Sequence, residues 1–202
     1  MVGEDGATHH GIFDIAYLKC IPNLLVFAAS DLVSLRQMLY TAEDYTNGPI
    51  AIRYPRGRGK SSNWKVSFSK IEIGKGVEVK EGTNIAILCV GPTLHHAMDA
   101  IKTYEQPEKV GCYDLRFIKP LDYELLHKVF QKYEQVITIE DGVLEGGVGQ
   151  AIQAFAYQHK YTAPIQSLGI SDEFPAHASI EDLEKLVGIS SIDILNALRT
   201  TD

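Results

Sequence analysis

Four short apolar runs in the second half of the chain constrain the fold more than any other feature. They are Ile85–Val90, Val110–Leu115, Val136–Glu140 and Ile165–Leu168. Each is too short for a helix, and the first three are largely apolar, the pattern of a strand buried on both faces, while Gln166 and Ser167 interrupt the last. Apolar residues at helical spacing fill the gaps. Leu94, Ala97, Met98, Ile101 and Tyr104 follow the first run, and Leu125, Leu126, Val129 and Phe130 follow the second. Strands alternating with such helices pair in parallel through crossovers, which predicts an α/β domain over residues 83–202 with a mostly parallel sheet. Gly91-Pro92 ends the first run, and Thr93 and Asp122 are the expected caps of the next two helices. A helix is expected over residues 150–159. Ser179 and Asp182 form a capping box for a last helical region of about twenty residues.

The first quarter of the chain repeats the alternation. Ile12, Phe13, Ile15, Ala16 and Leu18 predict a helix over residues 12–20, ended before Pro22. Leu24 to Ala29 reads as a buried strand, with Ser30 as the N-cap of a helix through Leu32, Leu35, Leu39 and Ala42. Asn47-Gly48-Pro49 breaks that helix, and Ile50 to Tyr54 is the next expected buried strand. The run Gly57-Arg58-Gly59-Lys60-Ser61-Ser62-Asn63-Trp64-Lys65 has the composition of a linker. Beyond it, Ile71-Glu72-Ile73 and Val77-Glu78-Val79 alternate with period two, like a half-exposed strand pair.

Charge and composition exclude several functions. The 202 residues carry 19 Lys and Arg against 26 Asp and Glu, a net charge of −7. That balance argues against nucleic acid and against an anionic membrane surface as partners. No apolar run approaches the roughly 18 residues of a spanning helix. No basic segment precedes an apolar one near the N-terminus, so a cytoplasmic protein is expected. Cys20, Cys89 and Cys112 are odd in number, far apart and set in apolar runs, which predicts buried, reduced thiols.

Chemistry concentrates in two stretches. The first, Gly3-Glu4-Asp5-Gly6-Ala7-Thr8-His9-His10-Gly11, packs carboxylates, a hydroxyl and imidazoles into a glycine-punctuated loop. Asp5 can accept hydrogen bonds from a polyol, and His9 can donate a proton to a developing alkoxide. A metal site at His9 and His10 is a poorer reading, because adjacent histidines do not share a face. The second stretch ends in Arg53-Tyr54-Pro55-Arg56-Gly57. A guanidinium at a strand's carboxyl end suits a phosphate or carboxylate, although either arginine could instead pair with a nearby acid. Pro55 and Gly57 fix an exposed backbone around Arg56. Gly146-Gly147-Val148-Gly149 before a helix invites a phosphate-cradle reading. It is not a nucleotide fingerprint, and Glu140, Asp141 and Glu145 crowd it with negative charge, so a structural turn is expected.

The loop at 3–11 resembles one shared by transketolases and 1-deoxy-D-xylulose-5-phosphate synthases. The residues that follow resemble the synthases: Gly11-Ile12-Phe13-Asp14-Ile15-Ala16, Arg53-Tyr54-Pro55-Arg56-Gly57 and Asp114-Leu115-Arg116-Phe117-Ile118-Lys119-Pro120. The resemblance runs from residue 3 to about 175. It implies the tail of a transketolase-like pyrimidine-binding domain over residues 1–57, a linker over 58–74 and a transketolase C-terminal domain over 75–202. In that family thiamine diphosphate, held with Mg2+, takes up pyruvate, releases carbon dioxide and delivers the two-carbon unit to glyceraldehyde 3-phosphate. The product enters isoprenoid synthesis. The resemblance places the acceptor-site Asp and His on Asp5 and His9, and the phosphate-binding arginine on Arg56. It also implies a homodimer.

The family's Gly-Asp-Gly diphosphate and magnesium motif, its activating glutamate and its ring-stacking aromatic do not occur here. They are expected upstream of Met1 in a longer parent, which would leave this chain inactive alone. A transketolase fragment, a 2-oxoacid dehydrogenase beta-subunit fragment and a non-catalytic dimerisation or binding module are the competing readings.

Overall fold

The computed structural model describes residues 1–59 and 63–200. Part of the expected linker, residues 60–62, lies outside the described residues. Two sheets form. The larger has five strands in the order β3-β5-β4-β7-β8: β3 (Val77–Lys80), β4 (Ile85–Cys89), β5 (Val110–Asp114), β7 (Gln135–Val143) and β8 (Ile165–Ile170). All four apolar runs are strands of this sheet, and β5, β4, β7 and β8 are mutually parallel. Leu88 stands between Tyr113 and Thr138 in that register. Strand β3 closes one edge in the antiparallel sense.

Helices cover both faces. Ile85, Ile87 and Cys89 point to α3 (Thr93–Thr103) and α7 (Ser191–Arg199), where Ala97, Ile101, Ile194 and Leu198 complete a buried layer. Ala86 and Leu88 point the other way, to α4 (Tyr123–Lys132) and α5 (Val148–Gln158), among Leu126, Val129, Ile152 and Phe155. Asp122 caps α4 as its position predicts, accepting from the amide of Leu125 at 3.0 Å.

The first unit contributes α1 (Asp14–Cys20), β1 (Leu25–Ala28), α2 (Leu32–Glu43) and β2 (Ile50–Arg53). Its sheet has a third strand that the sequence pattern did not reveal, β6 (Phe117–Lys119), which pairs antiparallel with β1. Only three residues long, β6 carries no readable period. The chain leaves β5 through Arg116, at φ 56°, whose amide donates to Asp114 at 3.0 Å. Phe117 then packs on Phe27 with ring centroids 4.7 Å apart, beside Met38 and Ile71. Val26, Ala28 and Ile15 join the same buried cluster as Leu88, Leu126 and Phe155, so the two units share a core.

Several local expectations are corrected. Asp31, not Ser30, caps α2, in a box with Ser34, because the Ser30 hydroxyl is donated to Asp114 at 2.8 Å. The α2 face that is buried is Ser34, Met38 and Thr41, while Leu39 is exposed. Strand β2 is an edge strand and only half-buried. Thr93 does not cap α3. Its hydroxyl donates instead to the carbonyls of Val90 and Ile139 at 3.0 and 3.2 Å. Residues 71–73 form no strand, and Ile71 serves as a core plug. The last helical region is two helices, α6 (Ile180–Leu186) and α7, broken at Gly188 with φ 76°. Cys20 is exposed, whereas Cys89 and Cys112 are buried with sulfurs 3.8 Å apart. Among the described residues no helix is long and apolar enough to cross a membrane.

Phe117→Ala should destabilise the chain by about 3–5 kcal/mol, the cost of emptying a large buried ring site. Urea unfolding followed by circular dichroism measures it. A loss under about 1 kcal/mol would mean that β6 does not join the units.

Candidate functional site

The loop before α1 is built from two successive turns. The amide of Gly6 donates to the carbonyl of Gly3 at 3.1 Å, and that of His9 donates to Gly6 at 3.0 Å. Gly3 and Gly6 have φ of 72° and 71°, a left-handed setting open to glycine. Asp5 projects from the first turn and His9 ends the second, both exposed. The His9 Nδ1 stands 3.0 Å from the Thr8 hydroxyl.

Arg56 reaches this loop from the end of β2. Its Nη1 donates to the Asp5 carboxylate and, at 2.8 Å, to the carbonyl of Val2. The pair is open to solvent, with side chains 56% and 40% exposed. Such a pair contributes at most about 1 kcal/mol and can be exchanged for another anion. Both bonds use one of three guanidinium nitrogens, so the fork keeps capacity for a ligand. Arg56 also lines a cavity of about 900 Å³, with Ser30, Tyr54, Arg58, His95 and His96 around it. His96 Nε2 lies 3.0 Å from Glu184 in its wall.

Arg53 behaves differently although it is three residues away. Its guanidinium is buried and bonds Asp14 at 2.7 Å, the Gly11 carbonyl at 3.1 Å, and both the carboxylate and the carbonyl of Asp141. Burial would lower its pKa, but Asp141 and Asp14 outweigh that and raise it. The same attraction, set against burial, lowers the pKa of Asp141. Arg53 therefore fastens α1, the end of the 3–11 loop and β7 to one another, and leaves no fork for a ligand.

The glycine-rich start of α5 is filled from within the protein. Glu140 accepts from the amides of Val148 and Gly149, each at 2.8 Å. A side chain at Gly147 would collide with that carboxyl, its Cβ falling 2.5 Å from Oε1. The turn is structural, as its acidic surroundings predict. Lys19 reaches over from α1 to the carbonyls of Gly146 and Gly147 at 2.9 and 2.5 Å, and burial lowers its pKa.

Residues 74–194 match the family model described as transketolase, C-terminal domain, and residues 1–61 match transketolase, pyrimidine binding domain. The chain belongs to the transketolase family. It is 44% identical over 200 residues to a 1-deoxy-D-xylulose-5-phosphate synthase of Phocaeicola vulgatus, covering 98% of this chain and 32% of that protein. It is 42% identical to the Bacteroides thetaiotaomicron synthase, covering 98% and 31%. The chain thus spans about a third of the length of these curated relatives. Among solved structures it is similar to one described as a split gene transketolase, inactive beta4 tetramer. That match has a TM-score of 0.79 and 26% identity, and covers 96% of this chain and 62% of the other. A transketolase from Campylobacter jejuni shares the fold, with a TM-score of 0.75 and 20% identity, covering 98% and 29%.

Of the residues singled out in the sequence, Asp5 and Arg56 meet directly. His10 is buried, its Nδ1 3.2 Å from the amide of Val2, and its Nε2 has no partner among the described residues. Among those residues no group of three His, Cys, Asp or Glu side chains is placed to hold a metal ion. Sequence reasoning missed Asp14 and Asp141 as the partners that claim Arg53. Distance along the chain hid them, 39 and 88 residues away.

Burial pushes the Glu140 carboxyl up to about 7, against the pull of the Gly149 and Val148 amides, Lys19 and Arg53. A raised folded pKa means that the group favours the folded state fully below its unfolded value of about 4.3 and loses that contribution as pH rises toward 7. The stability advantage of wild type over Glu140→Gln should therefore shrink between about pH 5 and pH 7. Urea midpoints of both proteins at the two pH values check this. An advantage that grows with pH would mean that the helix amides outweigh burial.

Proposed function

We propose that this chain is the C-terminal third of a 1-deoxy-D-xylulose-5-phosphate synthase and carries the acceptor side of its active site. The observation behind it is the exposed Arg56, paired with Asp5, in a chain 44% identical over 98% of its length to a curated synthase. In this reading the parent condenses pyruvate with glyceraldehyde 3-phosphate and releases carbon dioxide. Thiamine diphosphate and Mg2+ supply the carbon–carbon chemistry when bound in the parent. The glycine-rich start of α5 does not fit the cofactor's diphosphate, because Glu140 takes its amides. The parent is a cytoplasmic homodimer.

The roles of the side chains follow from their chemistry. Arg56 takes the acceptor's phosphate, and the dianion displaces Asp5 from the guanidinium fork. Released, Asp5 accepts hydrogen bonds from the acceptor's hydroxyl. His9 donates a proton to the oxygen that becomes an alkoxide as the new bond forms.

A second reading is supported by the similarity to the inactive beta4 tetramer of a split gene transketolase. In it, this chain is one subunit of a two-chain enzyme, inactive until a complementary chain supplies the cofactor site. Both readings expect little cofactor binding by the chain alone. Calorimetric titration with thiamine diphosphate and Mg2+ should reveal no site tighter than about 10 μM.

Arg56→Ala in the full-length synthase should lower acceptor kcat/KM by about 10- to 150-fold, the loss of a charged hydrogen bond, while sparing pyruvate. Arg56→Lys keeps the charge without the fork and should recover only part. Steady-state kinetics with each substrate varied in turn, and unphosphorylated glyceraldehyde as control, measures this. Equal losses with glyceraldehyde and its phosphate would make Arg56 structural.

A further inference from the structure

The segment that leaves β8 crosses over the loop that carries Asp5 and His9. Residues 171–179 connect β8 to α6. Phe174 meets Phe13 edge-on, with centroids 5.2 Å apart. Ile180 and the carbonyl of Ala178 lie against Gly3, within 3.2 and 3.3 Å of where a Cβ would stand. His177 lies over Gly6. A Cβ there would fall 2.2 Å from Nε2, 2.4 Å from Cδ2 and 2.6 Å from Cε1 of the imidazole. The ring thus occupies the space that any side chain at Gly6 would need. Gly3 and Gly6 are buried under these contacts, while Glu4, Asp5 and His9 remain exposed.

We propose that His177 is a positioning residue of the acceptor site. Its ring roofs Gly6 and fixes the turn that aims Asp5 at Arg56 and leads into His9. This rests on the reading of residues 3–11 as the acceptor loop. Ordering a loop with two left-handed glycines is entropically costly, and the freedom to be suppressed lies at Gly3 and Gly6. The β8–α6 segment covers both. The acceptor geometry therefore depends on the C-terminal unit, which also lines the Arg56 cavity through His95, His96 and Glu184.

Two measurements on His177→Ala and His177→Phe test this. Hydrogen exchange on the 202-residue chain reads the loop directly. His177→Ala should speed amide exchange across residues 3–11 by about tenfold or more and leave β4 and β7 unchanged. His177→Phe, which keeps a ring over Gly6, should restore most of the protection. In the full-length synthase, His177→Ala should lower acceptor kcat/KM by about 10- to 100-fold, as for a small misplacement of reacting groups, and leave the pyruvate KM unchanged. Unchanged exchange in His177→Ala would overturn the proposal, as would a His177→Phe variant as loose as Ala. Faster exchange with intact acceptor kinetics would instead leave the clamp standing and refute the acceptor-loop reading.

Discussion

The buried guanidinium of Arg53 is the interaction on which the arrangement of the two units depends. It ends β2, yet its partners come from α1, from the last residue of the 3–11 loop and from β7 of the other sheet. A guanidinium withdrawn from water is tolerated only where fixed acceptors replace its hydration. Asp14, Asp141 and two carbonyls do so here. Because the fork is planar and rigid, satisfying it fixes orientation as well as proximity. The site loop inherits that orientation through Gly11.

Around this bond the units behave as one packed body. Strand β6 belongs to the second unit by sequence and to the first sheet by hydrogen bonding. Lys119, at its end, caps α1 by donating to the carbonyls of Lys19 and Ile21 at 2.9 and 2.5 Å. Lys19 in turn spans back to the turn before α5. These links join elements roughly a hundred residues apart, and the shared core of Val26, Leu88 and Phe155 fills the space between them.

The same economy separates the cationic positions of the site into two kinds. Where a cation meets acids in a closed space, as Arg53 does, its donors are consumed. Where a cation sits at the surface, as Arg56 does, its bond to Asp5 is weak enough to exchange. The glycine-rich helix start follows the first pattern with the signs reversed, since Glu140 consumes the amides that an external anion would need.

The sequence alone determined the central strands β4, β5 and β7 and their alternation with helices, because burial on both faces leaves a largely apolar run and a helix leaves a 3.6-residue stripe. It also determined where polar chemistry gathers, at residues 3–11 and at Arg53 and Arg56, because a local motif needs no partner to be read. Tertiary structure decided everything that depends on who meets whom. It chose Asp31 over Ser30 as a cap by giving the Ser30 hydroxyl to Asp114, 84 residues away. It made Phe117–Lys119 a strand by offering it β1, since three residues carry no period of their own. It divided two similar arginines into a structural bolt and an exposed cation, and it laid His177 over Gly6. Pairing across such distances is set by packing in three dimensions, to which neither composition nor spacing along the chain has access.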